Sequence, residues 1–108
     1  MIQITCTKED GQKVLQLAGD LTIYSATEAR KDLEAHLDQH RALVLDLSEV
    51  DEIDTSGVQV LLWLKREALG RGEAFSLIRH SPMVVEVFDL LQVAGLFGDA
   101  ILLAPSVS

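Results

Sequence analysis

Cysteine and positive charge are scarce in this chain, and each scarcity removes a class of protein. The lone Cys6 has no second cysteine for an internal disulfide and lacks the paired spacing of a zinc or redox motif, so a reducing cytoplasm is the expected compartment. Nine Lys and Arg stand against seventeen Asp and Glu, a formal net charge of -8. So acidic a chain offers no grip for a phosphate backbone or an anionic bilayer, which argues against nucleic acid and membrane lipid as partners. Long apolar runs are missing too. The most apolar windows, 58–64 and 100–104, fall far short of the roughly 20 residues that a membrane-spanning helix needs, so a soluble protein with no direct membrane insertion is expected. Met1-Ile2-Gln3-Ile4-Thr5 enters a strand-like alternation at once, without the basic flank and apolar stretch of an export signal. No Gly-rich loop ending in Lys-Ser or Lys-Thr occurs, and no dinucleotide fingerprint follows a strand. No cofactor is expected, and the chain is no kinase: it lacks the parts to bind ATP and transfer phosphate itself.

What is present suits a folded domain. Of 108 residues, 48% are hydrophobic and 24% charged, enough for one core without disulfides or metal, and no repeat or linker divides residues 1–108. Ile2, Ile4 and Cys6 alternate with polar neighbours, Glu9-Asp10-Gly11-Gln12 supplies a turn, and Val14 to Ala18 returns, which reads as a hairpin. Ser25-Ala26-Thr27-Glu28 has capping-box form, and Ala26, Ala29, Leu33 and Leu37 continue at helical spacing, predicting a helix from Ala26 to about Gln39. Ala42 to Leu47 reads as a central strand covered on both faces. An acid-rich loop, Ser48 to Asp54, then leads to an apolar helix from about Ser56 to Leu69, stopped by Gly70-Arg71-Gly72.

Ala74 to Ile78 is the next strand, and Ser81-Pro82 opens a third helix reaching Val93 or Ala94, because proline suits the first helical position. Gly95 and Gly98 mark its exit, and Ile101-Leu102-Leu103 reads as a last short strand. After the hairpin, every strand is joined to the next through a helix, which implies parallel pairing. The expected fold is α/β: a single mixed β-sheet with an N-terminal hairpin, then helix-connected parallel strands, with helices packed on the sheet.

The densest chemistry lies in Val44-Leu45-Asp46-Leu47-Ser48 followed by Ile53-Asp54-Thr55-Ser56-Gly57-Val58-Gln59. An apolar strand ending in Asp-Leu-Ser, a short connection and Asp-Thr-Ser-Gly-Val opening a helix resembles the STAS family, shared by anti-sigma-factor antagonists and sulphate-transporter tails. The Leu17-Ala18-Gly19-Asp20-Leu21 turn and the element order extend the resemblance over nearly the whole chain. It implies a non-catalytic regulatory module. In the antagonists the serine just before the glycine is phosphorylated by a partner anti-sigma kinase, and Ser56 matches that position. Asp20, Thr22, Asp54, Thr55, Gly57, Gln59 and Trp63 join Ser56 as the expected partner-binding residues. Many antagonists place an aspartate where Thr22 stands here. The implied partner is a protein, an anti-sigma-type serine kinase or related regulator. Alternatives are a STAS subunit of a phospholipid-trafficking ABC transporter, with the serine as a contact residue, and an accessory protein of a bacterial chemosensory pathway.

The residues themselves admit plainer readings. A serine at a helix start lies beside unpaired N–H groups and the positive end of the helix dipole, which suits a phosphate. It equally suits a simple N-cap, with Gln59 completing a capping box. Asp54 either orients the hydroxyl or shapes the turn. On a helical wheel Ser56, Gln59, Trp63, Arg66 and Glu67 share one face, opposite Gly57, Leu61, Leu64 and Ala68. Trp63 is then an interface anchor, or it is covered by a loop or the first helix. Asp32, His36 and His40 fall at i, i+4 and i+8, yet a solvated helix face explains them without a metal, and His80 beside Ser81 lacks the acid and nucleophile motif of a hydrolase.

Overall fold

Alternation of apolar and polar residues makes strands of Ile2–Glu9 (β1) and Gln12–Leu21 (β2) in the computed structural model, which describes residues 2–37 and 42–92. Asp10 and Gly11, with φ of 53° and 81°, form the two-residue turn between them, the backbone hand that matches the twist of paired strands. The chain continues through α1 (Ala26–Glu34), β3 (Ala42–Ile53), α2 (Thr55–Gly70), β4 (Ala74–Ile78) and α3 (Pro82–Leu91). The sheet order is β1-β2-β3-β4. β1 and β2 are antiparallel, whereas β2 with β3 and β3 with β4 are parallel. This is the mixed α/β sheet expected from the element order.

The core forms where the strands meet the helices. Leu15, Leu17 and Leu21 of β2, Leu43, Leu45 and Leu47 of β3, Leu33 of α1, Leu61 and Leu64 of α2 and Phe88 of α3 are all shielded from solvent. Each such side chain contributes about 1.5–3 kcal/mol by leaving water. α2 ends as its sequence suggests: Gly72, at φ 79°, donates to the Leu69 carbonyl and Glu73 to that of Ala68, a Schellman closure.

Four local expectations need correction. Leu17-Ala18-Gly19-Asp20-Leu21 is not a turn but the second half of β2, paired with β1 from Leu17 to Gly19 and with β3 from Ala18 to Leu21. The acid-rich segment is strand rather than loop: Glu49, Val50, Glu52 and Ile53 pair with Ala18, Gly19, Asp20 and Leu21 of β2. Val50 and Ile53 are buried while Glu49, Asp51 and Glu52 face solvent, and register shifts at Gln16/Ala18 and Gly19/Asp20 absorb the irregular spacing. The first helix stops at Glu34, and a turn runs on to Leu37. Ser25 stands at its N-cap position, yet no capping box forms: the hydroxyl turns back, donating to the Asp20 carbonyl at 2.6 Å and accepting from the Thr22 N–H at 3.1 Å. The expected helix end at Gln39, the exit beyond Gln92 and the strand Ile101-Leu102-Leu103 lie outside the described residues.

One ionic cluster ties the hairpin to the sheet. Arg79, at φ 53°, pairs with Glu9 at the end of β1 and donates at 2.8 Å to Asp46, a carboxylate 4% exposed within β3. Burial opposes ionisation of Asp46, but the Ser48 backbone N–H and hydroxyl and the Arg79 guanidinium outweigh it and hold the carboxyl below its ordinary value. Arg79 lowers Glu9 in the same way.

Candidate functional site

The corner between β3 and α2 is organised by Asp54. Its backbone is extended, and its Oδ1 accepts from the Gly57 N–H at 3.0 Å, which makes it the N-cap of α2. Its Oδ2 accepts from the Ile23 N–H at 2.9 Å, thirty-one residues away, and its own N–H donates to the Leu21 carbonyl at 3.3 Å. One carboxylate thus starts the helix and pins the β2–α1 turn against it. Of the two readings left open for Asp54, shaping the corner is the one its hydrogen bonds describe.

Gly57 is fixed by the same approach of chains. A Cβ placed there would lie 2.0 Å from the Leu21 carbonyl oxygen and 2.9 Å from its carbon. Backbone cannot yield as a flexible side chain does, so only glycine fits. The Asp and Gly of Asp54-Thr55-Ser56-Gly57 therefore have structural reasons that are independent of any partner.

Ser56 has none of these duties. The cap it was expected to supply with Gln59 is provided by Asp54, because Ser56 lies inside the helix at its second position. Its hydroxyl makes no hydrogen bond among the described residues. Half-buried, it lines an open cleft of ≈ 240 Å3 with Ala26, Thr27, Arg30, Gln59, Val60 and Trp63. α1 forms one wall and α2 the other.

The remaining expected residues surround this cleft or the turn beside it. Thr55 and Gln59 are exposed. Trp63 is half-buried, packed against the core on one side and covered by the Arg30 guanidinium, whose carbon lies 4.1 Å from the ring centroid. It is thus both open to the cleft and partly roofed by the first helix. Thr22 donates to Asp20 at 3.1 Å and accepts from the Tyr24 N–H, so these two expected residues hold the turn's shape.

Sequence reasoning passed over Ile23, Tyr24 and Arg30. Ile23 is 65% and Tyr24 94% exposed, unusual for apolar side chains adjoining a pinned backbone. The signal was available: Ile-Tyr falls between a strand end and a capping serine, where polar turn residues are the rule. Arg30 could not be placed without knowing how the helices pack. Among the described residues no metal-binding group occurs, and His40 of the weighed Asp32-His36-His40 set lies outside them. His80 packs edge-on against Phe88 at 5.8 Å, and Ser81 is a buried cap. No helix among the described residues is long and apolar enough to cross a membrane.

Comparison with known proteins places this geometry. A family model described as the Mlab STAS domain matches residues 4–103. The chain is 28% identical over 97 residues to the candidate anti-sigma factor antagonist BtrV of Bordetella bronchiseptica, covering 89% of this chain and 84% of that protein. Among solved structures, an anti-sigma factor antagonist from Mycobacterium paratuberculosis matches with a TM-score of 0.75 at 24% identity, over 90% of this chain and 83% of that one. The antagonist SpoIIAA in its unphosphorylated form matches with a TM-score of 0.67 at 22% identity, over 89% and 84%. At such identities the two structures show a shared fold.

Proposed function

The chain belongs to the STAS domain family, and from that premise we propose that it is a non-catalytic partner-switching protein of the cytoplasm, controlled by phosphorylation of Ser56. The observation that carries the reading is the division of labour at the start of α2: Asp54 caps the helix and leaves the Ser56 hydroxyl unengaged at the mouth of a cleft. Similarity to anti-sigma factor antagonists supports a protein partner. Unphosphorylated, the protein binds a serine kinase or related regulator through the Ser56 end of α2, the exposed Ile23-Tyr24 turn and Trp63, with Asp20 and Thr22 shaping that turn. The partner supplies ATP and the base. Ser56 Oγ attacks the γ-phosphorus, the new O–P bond forms as the bond to ADP breaks, and the hydroxyl proton leaves to the partner.

The phosphate then adds about 1.5 to 2 negative charges to the first turn of α2, a few residues after the exposed Asp51 and Glu52 in the chain. The helix dipole tolerates that charge, so release follows from repulsion and bulk and not from unfolding. Incubation with the captured partner and ATP, followed by mass-spectrometric mapping, tests the assignment. One phosphate on Ser56 is expected, with none on the Ser56→Ala variant; a phosphate on Thr55 instead rejects it.

A second reading retains its place because the matching family model is the Mlab STAS domain. There the chain is the STAS subunit of a phospholipid-trafficking ABC transporter, and Ser56 is a contact residue. Copurification with an ATPase subunit, without label from ATP, would select it.

A further inference from the structure

Arg30 occupies a position that the switch reading leaves unexplained. It projects from α1, yet its guanidinium lies over the face of Trp63 on α2. It lines the cleft that holds Ser56 and also the adjoining hollow formed with Gln59, Leu62, Trp63 and Arg66. In a chain with nine basic residues and a net charge of -8, two arginines meet in this one hollow. No carboxylate pairs with Arg30 among the described residues.

We propose that Arg30 is the group that binds the phosphate on Ser56, and that it leaves the face of Trp63 to do so. The inference rests on Ser56 being the modified residue. A cation over an aromatic ring at a half-exposed site is a weak tie. A phosphate offers the same guanidinium two charge-assisted, parallel hydrogen bonds, which fit its planar fork. Because Arg30 walls both hollows, a change of side-chain rotamer carries the charge from one to the other without moving either helix.

The consequence is a second signal from one modification. Phosphorylation adds charge at the start of α2 and, about 10 Å further along that helix at 1.5 Å per residue, uncovers the indole of Trp63. The partner surface changes at both places. Arg66 remains beside the ring and does not line the Ser56 cleft, so Arg30 alone is suited to the transfer.

The test needs no kinase, and so separates this inference from the reading beneath it. Phosphoserine is installed at position 56 during synthesis of the full chain, in the wild type, Arg30→Gln and Arg30→Lys backgrounds. Trp63 is the only tryptophan, so acrylamide quenching reports on it alone. Quenching should rise on phosphorylation of the wild type and stay unchanged in Arg30→Gln, whose ring is already uncovered. By phosphorus NMR titration, the second acid constant of the phosphate should be about tenfold larger with Arg30 than with Gln, the lower end of what a neighbouring opposite charge does to an acid. Arg30→Lys should restore part of that difference. An identical acid constant in the wild type and Arg30→Gln, or quenching that ignores phosphorylation, overturns the proposal even if a kinase does modify Ser56. Failure of the kinase to modify Ser56 would instead remove the underlying reading.

Discussion

Two serines stand at two helix starts on the same sheet, and their surroundings give them opposite employment. Ser81 opens α3: its hydroxyl accepts from the Val84 N–H at 3.2 Å and donates to the Val50 carbonyl at 2.8 Å, and the residue is 5% exposed. Its N–H also reaches the Leu47 carbonyl at 3.2 Å. Every polar group of that residue facing the fold is consumed by structure. Ser56 lies in the first turn of α2, but there the cap belongs to Asp54 and the backbone contact to Gly57. A serine is available for chemistry when its neighbours have taken over its structural work.

Substitutions at the two corners should separate these roles. The largest effect is expected from Gly57→Ala, because the added methyl would meet the Leu21 carbonyl oxygen 2.0 Å away. Overpacking against backbone should cost about 3 kcal/mol or more, a large share of a small domain's stability, readable as a shifted urea midpoint. Ser81→Ala should come next at about 2 kcal/mol, since it removes a cap and a buried hydrogen bond to the Val50 carbonyl. A midpoint close to that of the wild type would erase the contrast between the serines.

Asp54→Ala should cost roughly 1–2 kcal/mol through the lost cap, and it should also free the β2–α1 turn. Faster hydrogen exchange at the Ile23 amide, with little change in β4, would locate the loss at the clamp. The smallest effect belongs to Ser56→Ala, under about 0.5 kcal/mol, because that hydroxyl supports nothing around it. A loss of 1 kcal/mol or more would return Ser56 to the rank of a structural cap.

The element order could be read from the sequence because apolar periodicity and turn residues agree over most of the chain. The hairpin turn at Asp10-Gly11, the strand from Ala74 and the proline-led start of α3 lie where local pattern puts them. Local pattern failed where distant chain decides. Ser48 to Asp54 looks like a loop because five of its seven residues are polar, yet β2 supplies a partner ladder that seats Val50 and Ile53 inside. Asp-Thr-Ser offers three good caps in a row, and the choice of Asp54 depends on an Ile23 N–H thirty-one residues away. The motif residues could be named from the sequence, but the separation of their roles, and the cover that Arg30 gives Trp63, come from how α1 lies against α2.

The central claim is that charge on Ser56 releases a partner without disturbing the fold, and titration of the captured partner by the wild type, Ser56→Ala and Ser56→Asp tests it most directly. Aspartate introduces one negative charge at a position where the helix dipole welcomes it, so circular dichroism should show all three folded alike. Ser56→Ala should bind like the wild type and Ser56→Asp more weakly, with partial loss because phosphoserine carries nearly twice the charge. Equal affinity of all three for the partner would contradict the switch.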